Sequence, residues 1–131
     1  MKTKRIHDRI DLRHILAALG QRASTSWWKV SGVPSVDEAL MVHGRRSEEL
    51  EEFDRSGRRV RGDGLLLVAS GVDQVIWGRF EGFDAQGSDE PWIVVIAFDS
   101  TWFDVSTADD AALARIGAAF ADVELLPGDQ S

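Results

Sequence analysis

The sequence predicts an α+β fold: a mostly antiparallel sheet of four to five strands with an N-terminal helix, two short helices and a C-terminal helix packed on it. Three observations predict it. Apolar residues recur at spacings of three and four near both ends of the chain, the mark of helices with one buried face. Strand-like runs follow one another between residues 64 and 105 without intervening helices, which favours antiparallel pairing over a doubly wound parallel sheet. The run WIVVIAF at residues 92–98 is unbroken and apolar, which predicts a central strand covered on both faces.

In chain order, Asp8 or Asp11 is a candidate N-cap for a first helix ending at Gly20, with Leu12, Ile15, Leu16 and Leu19 on its core face. SWWKVSG reads as a strand closed by Gly32 and Pro34. Ser35 with Glu38 forms a capping-box pattern that predicts a short helix VDEALMVH, stopped at Gly44 and complemented by His43 at its end. Ser47 caps EELEEFDR, where Leu50 and Phe53 make a narrow apolar stripe and Glu51–Arg55 and Asp54–Arg58 have i, i+4 spacing. GLLLVA at 64–69 and DQVIWGRFEGF at 73–83 read as a hairpin, followed by a strand at 91–99, which 101–105 either continues after a kink or follows as a further strand. Thr107 with Asp110 caps a final helix carrying Leu113, Ile116 and Phe120, and VELLP reads as a last edge strand.

A chain of 131 residues with 44% hydrophobic and 28% charged residues suits one globular domain, 1–131, with residues 127–131 as a frayed tail. The absence of cysteine excludes disulfides, thiolate metal sites and a cysteine nucleophile. The apolar runs are too short to cross a bilayer, and the basic start MKTKRIHDRIDLRH lacks the apolar core of a secretory signal. The expected location is therefore the cytoplasm. The net charge of −7 is unevenly spread: residues 1–62 hold 13 Lys and Arg against 9 Asp and Glu, and residues 63–131 hold 2 against 13. Unless the fold interleaves the halves, the second presents a negative field that repels nucleic acid and attracts basic surfaces.

Few constellations carry chemistry. His7, Asp11 and His14 share a helix face only if one helix runs through all three; with Asp11 as N-cap that face does not exist, and no metal or cofactor is expected. Arg55, Arg58, Arg59 and Arg61 gather around glycines as a weak anion-binding segment, without the spacing of a phosphate loop. Asp99 and Asp104 flank Trp102, as the two carboxylates of a glycosidase flank a sugar, but Asp at strand ends is ordinarily a turn former. No serine lies in a nucleophile elbow, so no catalytic residue is assigned.

The five tryptophans, in a chain without tyrosine, are the remaining signal. Trp92 belongs to the core. Trp27 and Trp28 are adjacent on a strand, so one faces the core and the other must face a helix, solvent or a partner. Pleat alternation groups Trp77 with Val75 and Arg79. The function expected from these features is a small acidic protein-binding module, immunity- or antitoxin-like, docking on a basic protein such as a nuclease toxin. Its partner-binding residues would be Trp27, Trp28, Trp77, Trp102, Asp84, Asp89, Glu90, Asp99 and Asp104. One alternative is a small-molecule site or enzyme with Trp102, Asp99, Asp104 and Arg79 lining a cleft. Another is nucleic-acid binding through Arg55 to Arg61 with Trp27 or Trp28 as a stacking platform, which the net charge disfavours. An exposed tryptophan also suits a homodimer seam.

Overall fold

The computed structural model describes residues 1–127; most of the expected tail, residues 128–131, lies outside them. The class is the expected one, α+β with an antiparallel sheet, but the sheet has eight strands and the helices number five. The order of elements is β1 (Lys2–Ile6), α1 (Leu12–Leu19), α2 (Gln21–Thr25), β2 (Trp27–Ser31), β3 (Met41–His43), α3 (Ser47–Ser56), β4 (Val60–Arg61), α4 (Gly62–Ala69), β5 (Gln74–Phe83), β6 (Ile93–Phe98), β7 (Trp102–Thr107), α5 (Asp110–Ala119) and β8 (Val123–Leu125). Across the sheet the strands run β4-β2-β5-β6-β7-β1-β8, and β3 pairs with the first half of β5.

Four local expectations are corrected. The N-terminal KTKRI is a strand, hidden in the sequence because four polar residues precede its one apolar residue. GLLLVA is helix α4: Leu65, Val68 and Ala69 are buried while Leu67 is 62% exposed, a helical period that so short an apolar run conceals. The predicted helix after Ser35 is instead one 3-10 turn, Pro34–Val36, followed by β3. Val33 and Glu38 exchange backbone hydrogen bonds and Asp37 is left-handed, so the segment closes on itself before a helix can propagate; His43 accordingly lies on β3 and ends no helix. On α3 the ion pairs are Arg46–Glu49 and Arg55–Glu52, in place of the expected i, i+4 pairs.

The helices cover one face of the sheet. Leu12, Ile15, Leu16 and Leu19 of α1 meet Leu65 and Val68 of α4, Ile116 of α5, and the inward residues Trp28, Phe80, Ile93, Val95 and Phe103 in one apolar cluster. Trp28 is fully buried and its Nε1 donates to the Ala23 carbonyl at 2.9 Å. It lies over Gly82, its cross-strand partner, where a Cβ would come within 3.1 Å of the indole and 2.7 Å of Ile93; glycine here makes room for the ring. Trp92 is buried as expected, donating Nε1 to Ser26 Oγ at 2.8 Å, with Arg22 stacked on its ring at 4.0 Å.

Two aspartates fasten the ends of α5. Asp109, in place of the expected Thr107, is its N-cap, accepting from the amides of Ala111 and Ala112. Thr107 instead accepts from the Asp109 amide and donates to the Trp92 carbonyl. Asp8 accepts from Ala121 N at 2.9 Å and Asp122 N at 2.8 Å, tying the β1–α1 loop to the chain entering β8. Partial burial opposes ionisation of Asp8, but the Ala121 and Asp122 amides outweigh it and hold the carboxyl below its ordinary value. A lowered folded-state value stabilises the protein above the unfolded value of about 4 and loses that contribution as pH falls through the folded value. Asp8→Asn is therefore expected to be less stable than wild type at pH 7, with the gap closing below about pH 4. Urea unfolding at several pH values measures this, and a gap that is constant with pH would remove Asp8 from the acid response.

Candidate functional site: the uncovered face of the sheet

Side chains alternate along each strand, so the residues between the core positions define a second face. Strand register arranges them in rows. One row runs Trp77, Phe98, Trp102; the next runs Arg79, Ile96, Asp104, Arg5, Glu124; a third runs Lys29, Glu81, Val94, Ser106, Thr3. Trp27 opposite Phe83 closes the far end, about 20 Å from Trp77 at the usual rise along β5.

A bulge sets the first row. Met41 pairs with Trp77 and Val42 with Val75, leaving Ile76 as an extra residue on β5. Val75 consequently enters the core, while Trp77 joins Arg79 on the open face. Simple alternation had grouped all three; the inserted residue separates Val75 from the other two. Trp77 meets Phe98 edge-on at 6.1 Å, Phe98 meets Trp102 at 5.6 Å, and His7 approaches Trp102 at 6.4 Å. Arg5 lies 4.2 Å above the Trp102 ring while its guanidinium binds Asp104 in a two-pronged pair of 2.8 and 3.0 Å. Those hydrogen bonds push Arg5 above its ordinary value against the opposing effect of burial. Trp102 Nε1 is covered, yet it has no acceptor among the described residues, an arrangement that costs free energy.

The central apolar strand is where sequence and structure differ most usefully. The sheet order puts β6 between β5 and β7, the central position expected of it. Cover comes from the helices on one face only, over Ile93, Val95 and Ala97. On the other, Val94 is buried and Ile96 and Phe98 are half-buried, all three outside that cluster.

The expected partner-binding residues divide accordingly. Trp77, Trp102 and Asp104 come together, and Trp27 lies on the same face, half-buried. Trp28 is removed from any surface by its burial. Asp104 is only 8% exposed and bound to Arg5, so it is no free carboxylate. Asp84 pairs with Arg22, which also holds Asp109. Asp89 and Glu90 are exposed beyond the Trp27 end, and Asp99 is exposed at the Trp102 end in a turn where it and Ser100 are both left-handed. The cleft imagined between Trp102, Asp99, Asp104 and Arg79 does not form: Ile96 separates Arg79 from Asp104 in their row, and Arg79 pairs with Glu81.

The arginine segment is likewise engaged. Arg59 stacks on Phe83 at 3.5 Å and donates to the Ala85 and Gln86 carbonyls. Arg55 pairs with Glu52, Arg58 lies over Phe53, and Arg61 pairs with Asp63.

More broadly, the two halves of the chain interleave. Lys2, Arg5, His7, Arg22 and Arg61 reach Asp110, Asp104, Glu124, Asp84 with Asp109, and Asp63. The second half therefore does not form an unneutralised flank. Sequence reasoning missed Arg5, Phe98, Val94 and Ile96. The period-two grouping of 94, 96 and 98 was legible within the apolar run; Arg5 was not, because its strand went unseen.

Fold and face together define a class: an α+β domain with helices on one side of an antiparallel sheet and an aromatic, arginine-bearing surface on the other. Comparison with known protein families, with curated proteins and with solved structures gives no match for this chain. No described helix is long and apolar enough to cross a membrane, and no cluster of metal-ligating side chains occurs among the described residues.

Proposed function

We propose that this protein is a binding module that docks a partner protein on the uncovered face of its sheet. The observation that carries the proposal is the apolar line Val94–Ile96–Phe98 on the central strand, buried at Val94 and half-buried at Ile96 and Phe98, which lies outside the helix-covered core cluster among the described residues and is continuous with the half-buried Trp77 and Trp102. Protein interfaces favour this composition: aromatic and arginine anchors over an apolar centre, rimmed by charge. Arg5 and Asp104 already satisfy each other, so covering them leaves no isolated charge, the costliest error at an interface.

The net charge of −7 adds long-range attraction toward a basic partner and raises its association rate. Asp89, Glu90 and Asp99, none of which has an ion pair among the described residues, place part of the negative charge at the two ends of the face. The partner class is thus a basic protein, of the kind that nuclease toxins neutralised by immunity proteins and antitoxins represent. Its contact affinity would come from the aromatic face and its encounter rate from the net charge.

Affinity capture from the native host, comparing wild type with Trp77→Ala and Ile96→Arg, tests this. The expected result is a retained basic protein whose association slows with salt and whose binding falls at least about thirtyfold in each variant, the loss of an interface anchor. Retention that survives both substitutions would move the docking surface elsewhere.

A further inference from the structure

Separately from the docking face, we propose that β8 is a self-association edge, where a second copy of this chain adds its own β8 antiparallel and extends the sheet across a two-fold axis. The hydrogen bonds from His7 N to the Asp122 carbonyl and from Leu126 N to the Thr3 carbonyl fix which backbone groups of β8 face β1. Residues 122, 124 and 126 turn theirs inward, so the N–H and C=O groups of Val123 and Leu125 point away from the sheet. Those outward groups have no partner among the described residues. A row of unpaired strand groups is a template for another strand.

The opposite end of the sheet offers no such row, because β4 is two residues long and runs directly into α4. The helix beside β8 is α5. Lys4, the cross-strand neighbour of Leu125, donates to the Leu113 carbonyl, and Gly117 lies against Lys4 Nζ. The exposed residues on this side of α5 are Ala114, Gly117 and Ala118, while Arg115 turns the other way, against Gly20. α3, of equal length, instead exposes Glu48, Glu49, Glu52 and Arg55. The small side chains of α5 leave the edge open to an approaching strand, and Leu125, on the same side of the sheet, is 58% exposed there.

Charge and register favour a second copy as the occupant. Glu124, the one acid of β8, already faces His7 at 3.5 Å and Arg5 across the strands, so a basic strand from another protein finds it engaged. Lys2 and Arg5 likewise pair with Asp110 and Asp104. These acids carry their own counter-charges to the edge, which limits repulsion between two chains of net charge −7.

Outward groups must oppose outward groups, which puts the two-fold axis at Val123, Glu124 or Leu125. The first sets Glu124 opposite Asp122 and the second sets Glu124 opposite itself, both like-charge pairs. With the axis at Leu125, Glu124 meets Leu126. Each Leu125 N–H then reaches the Leu125 carbonyl of the other copy, each Val123 N–H reaches the Pro127 carbonyl, and the two exposed leucine side chains cover one another.

A three-residue edge makes a small interface, so the test is sedimentation velocity of the full chain from about 1 to about 500 µM, with 15N-detected amide exchange at both ends of that range. The expected result is a concentration-dependent doubling of mass, with the Val123 and Leu125 amides exchanging about tenfold or more slowly in the dimer. Leu125→Pro removes an outward N–H that β1 does not use, at an edge position where proline is tolerated. Leu125→Lys sets a charge opposite itself across the axis. Each is expected to weaken the dimer at least about tenfold, with the dispersion of the amide spectrum verifying the fold.

A monomer at every concentration, a dimer unweakened in both variants, or outward amides that exchange equally fast at both concentrations would each overturn the proposal. So would a dimer that survives Leu125→Pro and is lost in Ile96→Arg, which places the contact on the open face. Leu125 lies on the helix side of the sheet and Ile96 on the other, so failure here and failure of the docking face are read from different variants.

Discussion

Trp28→Ala is expected to lower the unfolding free energy by about 3–5 kcal/mol, the usual cost of emptying a buried aromatic site. The indole is fully buried against Gly82 and Ile93, and its N–H serves the Ala23 carbonyl. Truncation therefore leaves a cavity in the core against β2 and strips the carbonyl of that partner, two losses that add. The neighbouring Trp27→Ala removes only a half-buried ring paired across the strands with Phe83, and should cost about 1 kcal/mol. Urea denaturation of both variants at one protein concentration decides this. Equal midpoints would mean that the two tryptophans do not divide between core and surface.

Gly62→Ala is expected to be the most damaging single methyl group in the chain, at about 3 kcal/mol for overpacking against rigid neighbours. A Cβ at that position would lie 1.8 Å from the Ala23 carbonyl oxygen and 2.9 Å from Ser24 Cα. All the nearest atoms are backbone, so no side-chain rotation relieves the clash. The obstructed oxygen is the acceptor for Trp28, which couples the two sites, so the damage from Gly62→Ala and Trp28→Phe should be less than additive.

Gly64→Ala, two residues further along α4, is the internal control. Its added carbon meets only Val60 Cγ2 at 3.4 Å, and alanine's better helix propensity should stabilise by about 0.5–1 kcal/mol. Thermal unfolding of the two variants should move in opposite directions. A shared direction would show that close approach at Gly62 is not what demands glycine there.

The legibility of this chain differs from element to element for physical reasons. α1 was readable because four apolar residues at helical spacing follow a capping aspartate, and local periodicity suffices for an amphipathic helix. α4 was misread because six mostly apolar residues satisfy a strand and a buried helix equally well; only packing of Leu65 and Val68 against α1 separates them. β1 was invisible because its partners, β7 and β8, lie about a hundred residues away, and three of its polar side chains are bound equally far along the chain: Lys4 to the Leu113 carbonyl on α5, and Arg5 to Asp104 and Thr3 to Ser106 on β7. The bulge at Ile76 is likewise a property of the β3–β5 pairing and leaves no mark in composition.

By itself, the sequence determined the fold class, the central position of the 93–98 strand, and the fact that Trp27 and Trp28 must face opposite ways. Those follow from backbone periodicity, which each segment carries locally. The tertiary structure alone decided which indole is inside, which acids are free and whether a second layer covers the sheet. Each of those depends on pairing between residues far apart in the chain, as when Arg5 takes up Asp104 and Arg22 takes up Asp84, and long-range pairing is set by the packing of the whole chain.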